Sequence, residues 1–398
     1  MTDTAQGVVS EPGDNVTTQP LGLYIHVPFC ATKCHFCAFF QAKPTRETIG
    51  TFIQGIAAES RLWASTKPQP LETVFWGGGT PGVLSADDML RLHQSLEPIL
   101  QGNRIREWTV EMAPANLTPA KLSALKRIGV TRISMGVQTF DQRVLDEMGR
   151  HHSPGQVMRA YEWIREAGFD NVNLDMIIAF PGQTTEDLEH DLDEVIRMAP
   201  DHVSAYCLTF EEDTPLYARL ADGVYKRDIE QEAALYEFAW QKLEDAGFHQ
   251  YEISNFSRDG FRSLHNLNTW RMTEWIGMGP SASSQFRGIR STHAHDQGTW
   301  LNDISTGTLP EREKVVLNNE SILTDCLIFG LRMTDGPDLP ALIQRFGKNA
   351  LSKWELLFHH LTADGLAVYE PDNYLRLTLQ GRLVADAIGV AILEADDA

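Results

Sequence analysis

From Leu21 onward the chain repeats one arrangement: a short apolar run, a turn, then a longer segment whose apolar residues recur with helical period. The runs at residues 21–27, 72–76, 107–112, 132–137, 171–180 and 202–209 each predict a strand. Strands alternating with helices predict β/α units around a parallel sheet, an α/β fold. The helices between them carry start signals, such as Ser85 with Asp88 three residues on and Thr118 followed by Pro119. Gly129, Gly168 and Gly247 stand where such helices should stop. Six units fit an incomplete barrel and an open doubly wound sheet alike, and in both the reactive groups belong beyond the carboxyl ends of the strands.

After about residue 254 the pattern gives way to an irregular stretch rich in Gly, Ser, Asn, His and Trp, expected to be a connector around a site as far as residue 308. Helical segments at 322–332 and 350–364 and an alternating piece at 366–379 predict a small α-rich accessory domain with a hairpin over 309–398. The polar residues 1–20 lack the basic start and apolar run of a secretory signal and read as a disordered leader. No run approaches the roughly 20 apolar residues of a membrane-spanning helix, so a soluble, cytoplasmic protein is expected.

Charge narrows the partners. The formal net charge is −20, with 54 acidic against 34 basic side chains and no Lys/Arg-rich block. Nucleic-acid binding, which needs clustered cations, is disfavoured, and no run of basic residues offers a clamp for several carboxylates.

Chemistry enters with the cysteines. Of five, Cys30, Cys34 and Cys37 crowd into a CxxxCxxC loop directly after the first strand, while Cys207 and Cys326 stand apart. That is no disulfide framework. Three thiolates on one loop can grip three corners of an iron–sulfur cubane, which normally takes four protein thiolates, and so leave one iron for another ligand. A zinc site completed by His26 or His35 is a second reading, and ordinary buried cysteines a third. Cys207 and Cys326, with no ligand-type neighbours at useful spacing, read as core residues.

Other candidates cluster at the strand ends. Trp76-Gly-Gly-Gly79-Thr80-Pro81 closes the second run, either as a loop admitting a bound group close to backbone or as a tight turn. Glu111 and Gln138 end the third and fourth runs, and Asp175 is a carboxylate inside the apolar run NLDMIIAF, costly unless partnered. Arg150 suits a planar carboxylate, or is a solvated helix-end arginine.

The motifs YIHVPFCATKCHFCAF, VFWGGGTPGVL, RISMGVQTF, MGRHH, NLDMIIAFPGQT, YEISNF, HNLNTW and GMGPSASS, from Leu21 to about Arg290, resemble those of the coproporphyrinogen-oxidase-like radical S-adenosylmethionine (SAM) proteins, and specifically their HemW-type heme-chaperone branch. The resemblance implies a partial (β/α)6 radical SAM barrel with a C-terminal accessory domain. It assigns a [4Fe-4S] cluster to Cys30, Cys34 and Cys37, SAM to the open iron, and Tyr24, Gly78, Gly79, Thr80, Glu111, Gln138, Arg150 and Asp175 to the SAM pocket. Cys207 corresponds to a backbone contact in the oxidase branch. The oxidases typically read CxxxCxxCxC and carry a longer N-terminal extension; here the last position is Phe39.

HNLNTW resembles the chaperone signature HNxxYW, with Thr269 in place of tyrosine, and makes His265 either a heme contact or a loop histidine bonded to backbone. Further departures are Ala113 for the usual Asn and Ala179-Phe180 for the usual Gly-Leu. The implied function is heme binding and delivery to an acceptor protein, with an electron donor if SAM is cleaved to methionine and a 5′-deoxyadenosyl radical. Peripheral contact with a membrane-bound acceptor is compatible with it. The alternatives are oxygen-independent coproporphyrinogen III decarboxylation and radical opening or methylation of heme.

Overall fold

The computed structural model describes residues 20–66 and 68–395, so the expected leader lies outside the described residues except for Pro20. Six strands, β1 (Leu21–Val27), β2 (Leu71–Gly78), β3 (Glu107–Met112), β4 (Arg132–Gln138), β5 (Val172–Ile178) and β6 (His202–Cys207), lie side by side in chain order and parallel. They are the six runs read from the sequence, with ends moved by at most two residues. Between them run α1 (Arg46–Ser65), α2 (Ala86–Leu100), α3 (Pro119–Arg127), α4 (Gln142–Glu147), α5 (Pro154–Glu166) and α6 (Thr185–Met198). The start signals do their work: Ser85 Oγ accepts from Asp88 N–H at 3.1 Å and Thr118 Oγ1 from Lys121 N–H at 3.4 Å, satisfying otherwise orphaned helix donors.

Beyond β6 come α7 (Pro215–Ala221), α8 (Ile229–Asp245), β7 (His249–Glu252) and β8 (Asn255–Ser257), and β8 pairs antiparallel with β6. After α9 (Leu264–Trp270), β9 (Glu274–Met278) returns to pair parallel with β1, and β10 (Ser283–Phe286), β11 (Ile289–His293) and β12 (Glu311–Val316) follow antiparallel, with α10 (Gln297–Ser305) between the last two. The twelve-stranded sheet therefore runs from β12 to β7 without closing, an incomplete barrel. The stretch that reads as irregular in sequence extends this sheet at both edges.

Alternation along each strand separates two faces. Leu21, Leu23, Ile25 and Val27 of β1 join Phe52 and Ile56 of α1 and Leu92 and Leu96 of α2 in the main core, all with 5% exposure or less. Each such side chain contributes about 1.5–3 kcal/mol. The opposite face is polar and folds inward: Tyr24 and His26 on β1, Glu107 and Glu111 on β3, Asn173 and Asp175 on β5, and His202 and Ser204 on β6. A polar barrel interior explains why these strands are not uniformly apolar, unlike ordinary parallel strands buried on both faces.

The C-terminal helices α11 (Asn319–Leu331), α12 (Leu339–Phe346), α13 (Glu355–Ala363), α14 (Leu379–Leu383) and α15 (Ala385–Glu394), with the hairpin β13 (Ala367–Glu370) and β14 (Tyr374–Leu377), form their own core around Leu327, Trp354, Phe358 and Ile392. Cys326 belongs to it, as expected. Ile253 N–H donates to Arg332 O and Thr334 N–H to Tyr251 O, both at 3.1 Å, stitching this unit to the barrel edge. Among the described residues no helix is long and apolar enough to cross a membrane.

Candidate functional site

The carboxyl ends of β1 to β6 open into a cavity of about 1400 Å³. The cysteine loop forms part of its wall and is tied down along its length. Ala42 N–H donates to Pro28 O at 2.6 Å and Cys30 N–H to Ala42 O at 3.3 Å, closing the base. In the middle, His35 N–H donates to Met148 O at 2.9 Å and His35 Nδ1 lies 2.7 Å from Glu147 O, fastening the loop to the end of α4.

Cys30, Cys34 and Cys37 are free and half-buried, and all three line the cavity. Cys30 Sγ sits 3.5 Å from Thr80 Oγ1, and Gln41 Nε2 donates to Cys37 Sγ at 3.0 Å. Burial pushes the Cys30 and Cys34 thiols up and the neighbouring Cys37 adds to it in both, while Arg150 pulls both down. A metal group bound here would take these cysteines as thiolates, in place of their protons. The set fits a three-thiolate grip on a multi-iron cluster. A single zinc ion on the same thiolates would need a fourth ligand, for which the sequence offers His26 or His35. Of the candidate fourth ligands, His26 is engaged at both ring nitrogens, by Tyr24 OH (3.1 Å to Nδ1) and Phe40 O (3.3 Å to Nε2), whereas His35 is held at Nδ1 alone, by Glu147 O.

The glycine loop is pressed onto the cysteine loop. Gly79 N–H donates to Val27 O at 2.9 Å and Thr80 N–H to Phe29 O at 2.7 Å. A Cβ at Gly79 would stand 2.7 Å from Phe29 O and 2.8 Å from Val27 O, both backbone atoms, so only glycine fits. Gly78, Gly79 and Thr80 all line the cavity.

Glu111, Gln138, Arg150 and Asp175 complete that wall. Glu111 accepts from Gly78 N–H; burial and the neighbouring Asp175 push its carboxyl up to about 8. Gln138 is turned inward by a register shift between β4 and β5 and has φ of 73°. Gly136 makes room beneath it, since a Cβ there would meet Gln138 Nε2 at 2.8 Å and Arg150 Nη2 at 3.5 Å. Arg150 points into the cavity rather than to solvent, its guanidinium 5.8 Å from the Phe36 ring centre and its buried Nε without a partner among the described residues. Asp175 accepts from Asn173 Nδ2 at 2.6 Å and Ser134 Oγ at 3.1 Å, the partners that make a carboxylate tolerable in an apolar run. Tyr24 lies outside the lining and orients His26, a neutral histidine that burial holds down at about 4.

Two further placements qualify the sequence reading. Cys207, a core residue by its surroundings in sequence and a backbone contact by the resemblance, packs against the main core and also lines the cavity at the end of β6, where its N–H donates to Tyr236 OH at 2.8 Å and burial pushes its thiol up to about 11. His265 lies apart from the cysteines, toward the amino ends of β1 and β2, with 8% exposure. Its Nδ1 is 2.9 Å from Thr73 Oγ1, its ring stacks on Phe75 at 5.1 Å, and it does not line the cavity. Sequence reasoning missed Gln41, Tyr236, Trp240, Arg332 and Arg382, cavity residues that fall in no motif; only Gln41, four positions after Cys37, lay where a search could have begun.

Comparison with known proteins agrees with this geometry. Residues 24–195 match the model of the radical SAM superfamily, and residues 317–384 that of the HemN C-terminal domain. The chain is 32% identical to the heme chaperone HemW of Bacillus subtilis over 93% of its own length and 98% of the relative's. It is 33% identical to the heme chaperone HemW of Mycobacterium tuberculosis over 96% of both chains. Its fold is similar to that of the coproporphyrinogen III oxidase HemN from Escherichia coli, a radical SAM enzyme, with a TM-score of 0.82 at 22% identity over 94% of this chain and 90% of the other. That likeness bears on fold alone, while the near full-length identities decide the branch: the chain belongs to the HemW heme-chaperone family of radical SAM proteins.

Proposed function

We propose that this chain holds a [4Fe-4S] cluster on Cys30, Cys34 and Cys37, binds SAM beside it, and carries heme to an acceptor protein. The observation that carries the reading is the wall of one cavity, where three free thiols meet the glycine loop, Glu111, Gln138 and Arg150 while Phe39 occupies the position of the oxidases' fourth cysteine. In this reading Glu111 and the backbone of Gly78 and Gly79 receive the ammonium end of SAM, and the Arg150 guanidinium its carboxylate. Asp175 and Gln138 bound the pocket that keeps water from the sulfonium. When bound, the cluster supplies an electron for reductive cleavage of SAM. The heme acceptor, the electron donor and a cytoplasmic location belong to the same proposal, as does peripheral contact with a membrane-bound acceptor.

Coproporphyrinogen decarboxylation is the second reading, raised by the match of residues 317–384 to the HemN C-terminal domain. Anaerobically reconstituted protein supplied with coproporphyrinogen III, SAM and reductant, alongside a heme titration of the same sample, separates the two. Stoichiometric heme binding without decarboxylation is expected; decarboxylation without heme binding overturns the chaperone reading.

A further inference from the structure

The cavity does not end at the cofactor wall. Beyond Cys207 it continues between α8 and the C-terminal unit, where Tyr236, Trp240, Arg332 and Arg382 line it. Tyr236 and Trp240 pair with ring centres 5.4 Å apart, and the Arg382 guanidinium stands 5.6 Å over Trp240. Arg332, whose charge reaches Tyr236, rests 5.1 Å over Trp270. Two cations thus flank one aromatic floor.

Their charges are only partly matched from within. Arg227, also in the lining, is taken by Glu232, which receives its Nε at 2.9 Å and Nη2 at 2.5 Å. Among the described residues Arg332 pairs directly with Asp386 at 3.2 Å, a carboxylate 96% exposed and therefore a weak partner, and acts on the buried Glu252 from beyond ion-pair distance. Among the described residues no carboxylate lies within ion-pair distance of Arg382, and Glu244 acts on it only from farther off. The Nε atoms of Arg332 and Arg382 are both buried without a hydrogen-bond partner among the described residues, and a buried donor left unmade is costly. A guanidinium fork with spare donors in a partly desolvated pocket is a carboxylate site.

We propose that Arg332 and Arg382 form a carboxylate-binding pole that takes the propionates of a tetrapyrrole whose ring lies against Tyr236 and Trp240. This rests on the heme reading above and adds where the ligand sits. It also gives the C-terminal unit a task, since residues 332 and 382 both fall within its matched span of 317–384. No basic run announces the pole, because its members come from the end of α11 and from α14.

The test titrates the cluster-reconstituted full chain with heme and with heme dimethyl ester, in wild type and in the Arg332→Gln/Arg382→Gln double variant. Wild type is expected to bind the ester on the order of tenfold or more weakly than the acid. The double variant is expected to bind both porphyrins equally, at the wild-type ester's affinity, with SAM binding and cluster chromophore unchanged. Equal wild-type affinity for acid and ester overturns the pole and leaves heme binding standing, as does a double variant that still discriminates. If wild type binds neither porphyrin, the heme reading falls and the pole with it. Should the double variant lose its chromophore, the wild-type comparison decides alone.

Discussion

Glu107, at the start of β3, caps the helix that carries His265: its Oε1 accepts His265 N–H and its Oε2 accepts Leu264 N–H, both at 3.0 Å. Ser263 Oγ lies 3.3 Å from the same carboxylate. An anion among the free N–H groups at a helix N-terminus satisfies donors and opposes the dipole. The HNLNTW motif is thereby fastened inside the barrel, away from the cofactor wall. Glu107→Ala leaves these buried donors unpaired and should cost about 1–3 kcal/mol. Urea unfolding should show that loss, while the cluster chromophore and SAM affinity stay at wild-type levels.

The barrel interior keeps its histidines neutral. Burial holds His26, His152 and His265 down at about 4, and His202 well below its ordinary value. A histidine whose pKa is lower folded than unfolded contributes stability above the unfolded value near 6.5, and that stability is lost as pH falls toward 4. The stability difference between wild type and His265→Gln should therefore shrink by roughly 3 kcal/mol from pH 6.5 to pH 4. Paired urea titrations across that window check it; a difference independent of pH contradicts a neutral buried imidazole.

Glu111 has the opposite sign. Its carboxyl is pushed up to about 8, so the folded protein binds a proton that the unfolded chain releases near pH 4.5, and stability falls as pH rises between those values. Glu111→Gln should raise the melting temperature of the SAM-free protein, more at pH 8.5 than at pH 5.5. The same substitution should weaken SAM binding at pH 8.5, because it removes the anion facing the ammonium group.

Gly79→Ala places a methyl group 2.7 and 2.8 Å from two carbonyl oxygens that cannot move without shifting the cysteine loop. A destabilisation on the order of 1–3 kcal/mol is expected. Iron content after anaerobic reconstitution should fall with it, more than in Gly82→Ala, where the nearest atoms belong to the flexible Met112 side chain at 3.1 Å and beyond.

Much of this architecture was legible in the chain. The six strand runs are short and bounded by turns, and β1 and β3 coincide with the predicted residues at both ends. The cysteine spacing and the glycine run carried the site because their geometry is local. The antiparallel edges were not legible: β8 has three residues and β10 four, too short to show a period of two. The arginine pole is not legible for a related reason: its two members stand far apart in the chain, at the end of α11 and in α14. Cys207 reads as core because it ends a buried strand; it does pack against the main core, and the strand's end also brings it to the cavity. Ala179, a departure from the family's glycine, adopts φ of 59°, a left-handed conformation that the structure retains with Ala179 N–H donating to Gln183 Oε1 at 2.7 Å.

The claim that this is a chaperone is tested most directly by mixing heme-loaded, cluster-reconstituted protein with an apo-hemoprotein acceptor and following transfer by absorbance. Hand-over through a complex predicts a rate that rises with acceptor concentration and exceeds spontaneous heme release. A rate equal to free heme dissociation at every acceptor concentration would contradict the account.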